Sequence, residues 1–367
     1  MGGSPPPAHT GIMLEIRAEK VGREVVALAA AGADVTQVHE RAIELVGRTV
    51  RSDLTCWAMI DPRSLTIGSM TSGPDRIPPE YEPLLAESEY RGHDPGTFAE
   101  LFRSGRTATR GSDLPSDEVA HCLRHAEVWR PLGVENELRV IFRSGELCWG
   151  AAGFVRSGVD FTDAEVEFLT QLAPAVAVAT RAAVCATVPS GRGDPGPAVV
   201  LTGAGGEPLA LTAAARDWEE RFDEIAPGRL AVMVRAAAFG ARASGSGVFR
   251  TRIRDTTGGW ILLRATALLG GDEPQTVVTL EPAAGGELAE LLLAAYALTA
   301  RERDVCLEAM AGYSTAEIAA RRGITPNTVH DHLKAIYTKT GVRSRAELTA
   351  LLRSGRDLRR AAVAAPE

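Results

Sequence analysis

Apolar residues along this chain recur with two different periods. Over residues 12–30 and again over 34–50 they fall three and four positions apart, which predicts two helices, the second capped by Asp34. The runs 54–60 and 64–71 are short and β-rich, and Asp61-Pro62 between them signals a turn. Helical and loop segments follow to about Trp129. Two more strands are expected at 138–142 and 147–155, joined by Arg143-Ser144-Gly145-Glu146. A long helix then starts at Asp163, where Thr162 and Glu165 have the spacing of a capping box. Strands enclosed by helices make residues 12–187 an α+β domain, preceded by a Gly/Pro-rich stretch, 1–11, that is expected to be disordered.

The pattern breaks twice. Residues 188–197 and 283–287 are rich in Gly, Pro and Ala and poor in large apolar side chains, and read as linkers. Between them, residues 198–282 predict a second α+β domain. Its expected parts are a strand at 198–202, a turn at 204–208, a helix at 212–225 and a closing strand at 276–280. A hairpin of 248–254 with 260–268, around Thr257-Gly258-Gly259, completes it.

After a helix at 287–297, a third domain is expected over 293–358, with a disordered tail at 359–367. Leu298-Thr299-Ala300-Arg301-Glu302, Ser314-Thr315-Ala316-Glu317 and Ser344-Arg345-Ala346-Glu347 each set a hydroxyl three residues before a carboxylate, the signature of a capped helix start. Thr325-Pro326 opens another helix, with proline where its missing N–H costs nothing. Gly312 and Gly323 stand where helices should stop. The result is an all-α domain of four short helices. Val305, Met310, Ile318 and Ala319 face its inside, Ile324 plugs a turn, and Leu348 and Leu351 continue the core. Val329, Leu333 and Ile336 form one stripe on the third helix, whose opposite face carries Asn327, Thr328, His330, Asp331 and Lys334. A short helix with a polar outer face, set after a tight turn, fits a DNA major groove.

Leu298-Thr299-x-Arg301-Glu302, Gly312, Glu317-Ile318-Ala319, Thr328-Val329, His332-Leu333, Ile336-Tyr337-x-Lys339 and Gly341-Val342 resemble the LuxR/FixJ-type helix-turn-helix domain. The resemblance covers about residues 295–355 and implies a transcription regulator. It makes 315–322 the scaffold helix and 326–340 the recognition helix. It implies that Thr328, His330, Asp331 and Lys334 reach phosphates or base edges, with Thr325 and Asn327 beside them, and that Lys339 and Arg343 hold flanking phosphates. The last helix, about 345–352, would dimerise the domain, with Leu348, Leu351 and Leu352 supplying apolar surface. Three positions depart from the family pattern: His330 stands where a basic residue is common, Asp331 is an acid facing a polyanion, and Thr340 replaces a leucine. In the first domain, a strand pair running into a long helix is similar to a GAF domain, and Tyr90 with Asp94-Pro95 resembles the autoinducer-binding domain of quorum sensors. The middle domain resembles a PAS domain by element order. By analogy with GAF-like sensors, Trp57, Met59, Trp129, Trp149 and Phe154 are candidates for lining a pocket for a small-molecule effector. The other reading of these five is plain core.

The chain has 367 residues and a net charge of −7, too acidic for a protein that coats nucleic acid over its whole surface. The charge is uneven. From Tyr296 onward twelve Lys/Arg meet eight Asp/Glu, so this segment is +4 and the rest is −11. A basic terminal module on an acidic body fits nucleic-acid binding at one end. Five scattered cysteines without a Cys-x-x-Cys read as reduced thiols, and with no signal-peptide or membrane-span pattern the expected location is cytoplasmic. His121-Cys122-x-x-His125 would set two imidazoles on one helix face, but no third ligand is near in sequence, so neither metal nor cofactor is expected. There is no Gly-x-x-x-x-Gly-Lys-Ser/Thr loop, no nucleophile–base motif and no βα alternation of a phosphoryl-accepting receiver domain. Two functional classes remain. One is a one-component regulator, not an enzyme, that binds double-stranded DNA as a homodimer and answers to a small molecule. The other is a small-molecule-binding or enzymatic GAF/PAS protein whose terminal helices serve only as an interaction module. Duplex binding separates the two.

Overall fold

The computed structural model describes residues 7–92, 94–186, 198–224, 227–255, 259–269, 273–283 and 286–354. The expected 188–197 linker, the 359–367 tail, and the turn residues Thr257 and Gly258 lie outside these residues.

The first domain begins with α1 (Pro7–Ala30), which starts inside the stretch expected to be disordered. Proline is tolerated at a first helical position because that N–H has no intrahelical partner. Next come α2 (Val35–Gly47), capped by Asp34 as its sequence implies, β1 (Leu54–Ile60) and β2 (Ile67–Ser72). Three short helices follow, α3 (Glu82–Tyr90), α4 (Phe98–Arg103) and α5 (Ser116–His121), with β3 (Ala108–Arg110) between the last two. The strands β4 (Asn136–Ser144) and β5 (Leu147–Arg156) lead into α6 (Asp163–Ala186). The five strands form an antiparallel sheet in the order β2-β1-β5-β4-β3.

Among the described residues, α6 is the one helix long and apolar enough to cross a membrane by length and composition. Here it is a core helix, packed on α1, α2 and one face of the sheet. His39 on α2 is wholly buried in this layer, with Nε2 3.0 Å from the Thr180 hydroxyl of α6.

The second domain holds β6 (Ala198–Thr202), β7 (Pro208–Leu211), α7 (Ala213–Asp223), α8 (Arg229–Ala243), β8 (Val248–Arg254), β9 (Trp260–Ala267) and β10 (Thr276–Pro282). Its sheet runs β7-β6-β10-β9-β8, the same order of first to fifth strand as in the first domain. Thr212 caps α7. Helix α8 packs on this sheet and, on its other side, against α3 of the first domain.

The two domains are pinned together by polar groups far apart in sequence. Asp61 Oδ2 accepts from Arg252 Nη1 at 2.9 Å and from the Arg252 backbone N–H at 3.2 Å, and both side chains are buried. Beside this pair the hydroxyls of Thr66 and Thr251 hydrogen-bond each other.

Helix α9 (Gly286–Ala295) starts within the expected 283–287 linker. It leads to α10 (Ala300–Met310), α11 (Thr315–Arg322), α12 (Pro326–Thr340) and α13 (Arg345–Ser354). Leu291, Leu292, Leu293 and Ala294 of α9 are all buried, because α9 lies between α6 and α13. One apolar cluster therefore runs from the first domain through α9 into the terminal helices.

Candidate nucleic-acid interface

Local side-chain chemistry sets the geometry of the terminal helices. Thr299 and Glu302 cap α10 reciprocally, with hydrogen bonds of 3.2 and 2.7 Å, and Ser314 and Glu317 repeat the device on α11 at 3.3 and 2.7 Å. The turn between α11 and α12 pivots on Gly323, at φ +64°, a conformation costly for a residue with a β-carbon. Thr325 then caps α12, its hydroxyl accepting the Thr328 N–H at 3.2 Å. Arg321 Nε, 2.7 Å from a Glu308 oxygen, and Arg322, 3.1 Å from the other, tie α11 to α10.

Helix α12 is two-faced. Val329, Leu333 and Ile336 are buried against α10 and α11. Asn327, His330, Asp331 and Lys334 are exposed, with the half-buried Thr328 and the exposed cap Thr325 at the same end. Neither Asp331 nor Lys334 has a charged partner among the described residues. The arrangement offers a cation, an acid, an imidazole and an amide on one short ridge, which can meet phosphates and base edges together.

Two of the sequence expectations change. Lys339 is not a free cation: its ammonium lies 2.6 Å from Glu302 Oε2 and 3.3 Å from the Ala297 carbonyl oxygen. Burial alone would raise the pKa of Glu302, but Lys339 and the Thr299 N–H together hold it below the ordinary carboxylate value. Leu348, Leu351 and Leu352 are 0, 5 and 1 % exposed, covered inside this one chain by α9 and α10. The apolar surface expected to be left over for dimerisation is therefore already used. Arg343 remains exposed, and its backbone N–H donates to Glu347 at 2.8 Å. Thr340 satisfies its buried hydroxyl on the Ile336 carbonyl at 2.7 Å, which is how a polar residue fits where an apolar one was expected.

Four of the five candidate pocket residues share one core cluster, and only Trp129 lies elsewhere, beside a cavity. Trp57, Met59, Trp149 and Phe154 are at most 2 % exposed and pack toward the helical layer of the first domain. Trp129 alone lines a cavity of about 130 Å³ on the other face of the sheet, with Cys56, Ala58, Leu85, Phe98 and Arg139. Strand side chains alternate between faces, so the residues next to those chosen on β1 line the cavity. At its edge the buried Glu137 accepts from Arg124 Nε at 2.9 Å and Trp129 Nε1 at 3.2 Å, with His125 Nε2 at 3.1 Å. Burial opposes ionisation of Glu137, but the Arg124 charge and these hydrogen bonds outweigh it and hold the group far below the usual carboxylate range.

The expected pairing of His121 and His125 on one helix face also fails. Helix α5 ends at His121, Cys122 is extended, and His125 opens a separate π-helical turn. His121 Nδ1 lies 2.7 Å from the Asp117 carbonyl oxygen, so the two rings have different partners. Among the described residues no group of three or more His, Cys, Asp or Glu side chains could hold a metal ion.

A scaffold helix, a glycine turn and a second helix with one buried and one polar face define a helix-turn-helix DNA-binding domain. Residues 296–352 match the family model described as bacterial regulatory proteins, luxR family, so the terminal domain is of the LuxR type. A curated relative, the probable transcriptional regulatory protein SgaR of Hyphomicrobium methylovorum, is 50 % identical over 54 residues, 15 % of this chain and 26 % of that protein. The match thus spans about a quarter of that relative's length. Solved structures that are similar include the Vibrio cholerae VqmA dimer without target DNA, at 15 % identity and a TM-score of 0.21, covering 43 % of this chain and 81 % of that one. The VqmA–ligand–DNA complex gives 15 % identity and a TM-score of 0.22, covering 47 and 87 %.

Proposed function

We propose that this chain is a cytoplasmic, one-component transcription regulator that binds duplex DNA sequence-specifically through α12. The observation that carries the reading is the division of that helix: a buried Val329–Leu333–Ile336 stripe fixes it, and Asn327, His330, Asp331 and Lys334 are left facing outward. Lys334 supplies affinity through a phosphate or a guanine edge, Arg343 holds a flanking phosphate, and Asn327, His330 and Asp331 read bases. Thr325 and Thr328 position the helix start. The two α+β domains ahead of it act as GAF-like and PAS-like sensors of a small molecule. Support comes from the strand pair β4–β5 running into α6 and from the element order of the second domain.

The protein acts as a homodimer on a site with two-fold symmetry. Because α9 covers Leu348, Leu351 and Leu352, pairing through α13 requires that helix to leave α9, or another surface to make the dimer. Selection of binding sites from random duplex DNA by the full-length chain tests the whole reading. A recovered inverted repeat, lost when Asn327 and Lys334 are both replaced by alanine, is the expected result. Recovery of no preferred sequence, with the protein folded, would overturn it.

A further inference from the structure

Arg229 is the first residue of α8 and is 9 % exposed, yet its Nε has no hydrogen-bond partner and no carboxylate lies within ion-pair distance of it among the described residues. A buried guanidinium without a counter-ion is costly, and proteins ordinarily pair it. Arg229 lines a cavity of about 220 Å³ between the two α+β domains. Leu54, Ile67, Met70, Ile77 and Leu85 of the first domain and Val232 of α8 give this cavity an apolar wall. Glu82 on α3 lines the same cavity, and its charge acts on Arg229. Burial raises the pKa of Glu82, and the neighbouring positive charges of Arg229 and Arg76 only partly offset this. Glu40 and Asp75 also border the cavity, but on its exposed rim, and Arg76, Arg254 and Asp255 have partners of their own.

We propose that this cleft is a binding site for a small organic carboxylate with an apolar body, its carboxylate taken up by Arg229 and its body lying along the Leu54–Met70–Val232 wall. The ligand would complete the missing ion pair, which is the strong, charge-assisted kind that favours a planar carboxylate. Since β1, β2 and α3 form one side of the cleft and α8 the other, an occupant touches both domains at once. The site deepens the effector-responsive reading given above, but its occupancy is measured without DNA, so failure here leaves the DNA-binding reading untouched.

The test is a thermal-shift and calorimetric series on the full-length chain without DNA. The probes are straight-chain carboxylic acids of six to ten carbons, phenylacetate and benzoate, each beside its methyl ester. Binding of at least one acid and not of its ester is expected, with a melting temperature that rises with acid concentration. Arg229→Met, which keeps the apolar stem, should lose affinity by about tenfold or more and should melt no lower than the wild type, because it removes an unpaired buried charge. Glu82→Gln should bind at least as well as the wild type. The proposal fails if no acid binds at millimolar concentration, if Arg229→Met binds unchanged, or if Arg229→Met melts well below the wild type, which would make Arg229 structural. Loss of binding in Glu82→Gln with retention in Arg229→Met would also overturn it, in favour of a cationic ligand.

Discussion

Glu302 closes the DNA-binding domain through Lys339: one carboxylate oxygen accepts the Lys339 ammonium at 2.6 Å and the Thr299 backbone N–H at 2.7 Å. The bridge joins the first turn of α10 to the last turn of α12. A lysine held this way stabilises the domain and is spent before DNA arrives. Lys339→Ala should lower stability by about 1 kcal/mol. It should leave the salt dependence of DNA binding unchanged. Lys334→Ala, which removes an exposed cation with no ion-pair partner among the described residues, should reduce the slope of log affinity against log salt by about 0.9 for one lost phosphate contact. Affinity titrations over a range of KCl concentrations decide between the two lysines. An equal loss of slope in both would make Lys339 a phosphate contact as well.

The Asp61–Arg252 pair should behave as the latch between the two α+β domains. Asp61→Ala removes the carboxylate that accepts both the buried Arg252 guanidinium and the Arg252 N–H, so a cost of about 3 kcal/mol is expected. Replacing both, Asp61→Ala with Arg252→Met, should cost less than the sum of the two single changes by at least about 1 kcal/mol. Denaturant unfolding of the four proteins measures this. Strict additivity would show that the two groups are not energetically coupled.

What the sequence made legible divides by range. Caps and breaks at Asp34, Thr299, Ser314, Gly323 and Thr325 are decided by neighbours within four residues, and the structure has each of them as read. The stripe Val329–Leu333–Ile336 is likewise a local pattern. Helix α8 is not legible in the sequence because its alanine- and valine-rich run has no sharp apolar period, being buried on both sides by β9 and α3. The cavity lies on the face opposite the bulky Trp57 and Met59, where the small Cys56 and Ala58 leave the space. Small residues opposite Gly153 and Ala151 on β5 were the available signal. The leucines of α13 could not be assigned a partner, since nothing near them in sequence says that α9 covers them. Asp61 and Arg252 stand 191 residues apart, beyond any local pattern.

His39 gives the first domain a sensitivity to acid. Burial lowers its pKa from 6.5 to about 4, so the folded chain keeps it neutral where the unfolded chain binds a proton. Stability is therefore full above about pH 6.5 and falls as the pH drops toward about 4, where the loss from this group is complete. The expected size over that window is roughly 3 kcal/mol. His39→Gln cannot take up the proton and should flatten this part of the profile, whatever it does to stability at neutral pH. Unfolding curves at pH steps between 7 and 4 measure it. Parallel profiles for the two proteins would exclude His39 as the source.

Asp331 sits one residue after His330 and three before Lys334 on the exposed ridge of α12, and among the described residues it forms no ion pair with Lys334. The neutralising neighbour that would make it harmless to a phosphate is thus not engaged. An acid in that position is repelled by the DNA backbone and gains only where a base offers a donor, as the cytosine amine does in the major groove. Removing it should then have opposite effects on the two kinds of binding. Non-specific affinity should rise in Asp331→Ala, because one repulsive charge is gone. Discrimination at one base pair should fall by about 1–3 kcal/mol, the worth of a good base contact. Lys334→Ala should instead weaken all sequences together if it holds a phosphate. Selection from random duplex DNA with the wild type and Asp331→Ala, followed by affinities for the best site and a scrambled one, separates these effects. If both proteins select the same site with the same stringency, Asp331 does not read a base, and specificity rests on Asn327, His330 and Lys334 alone.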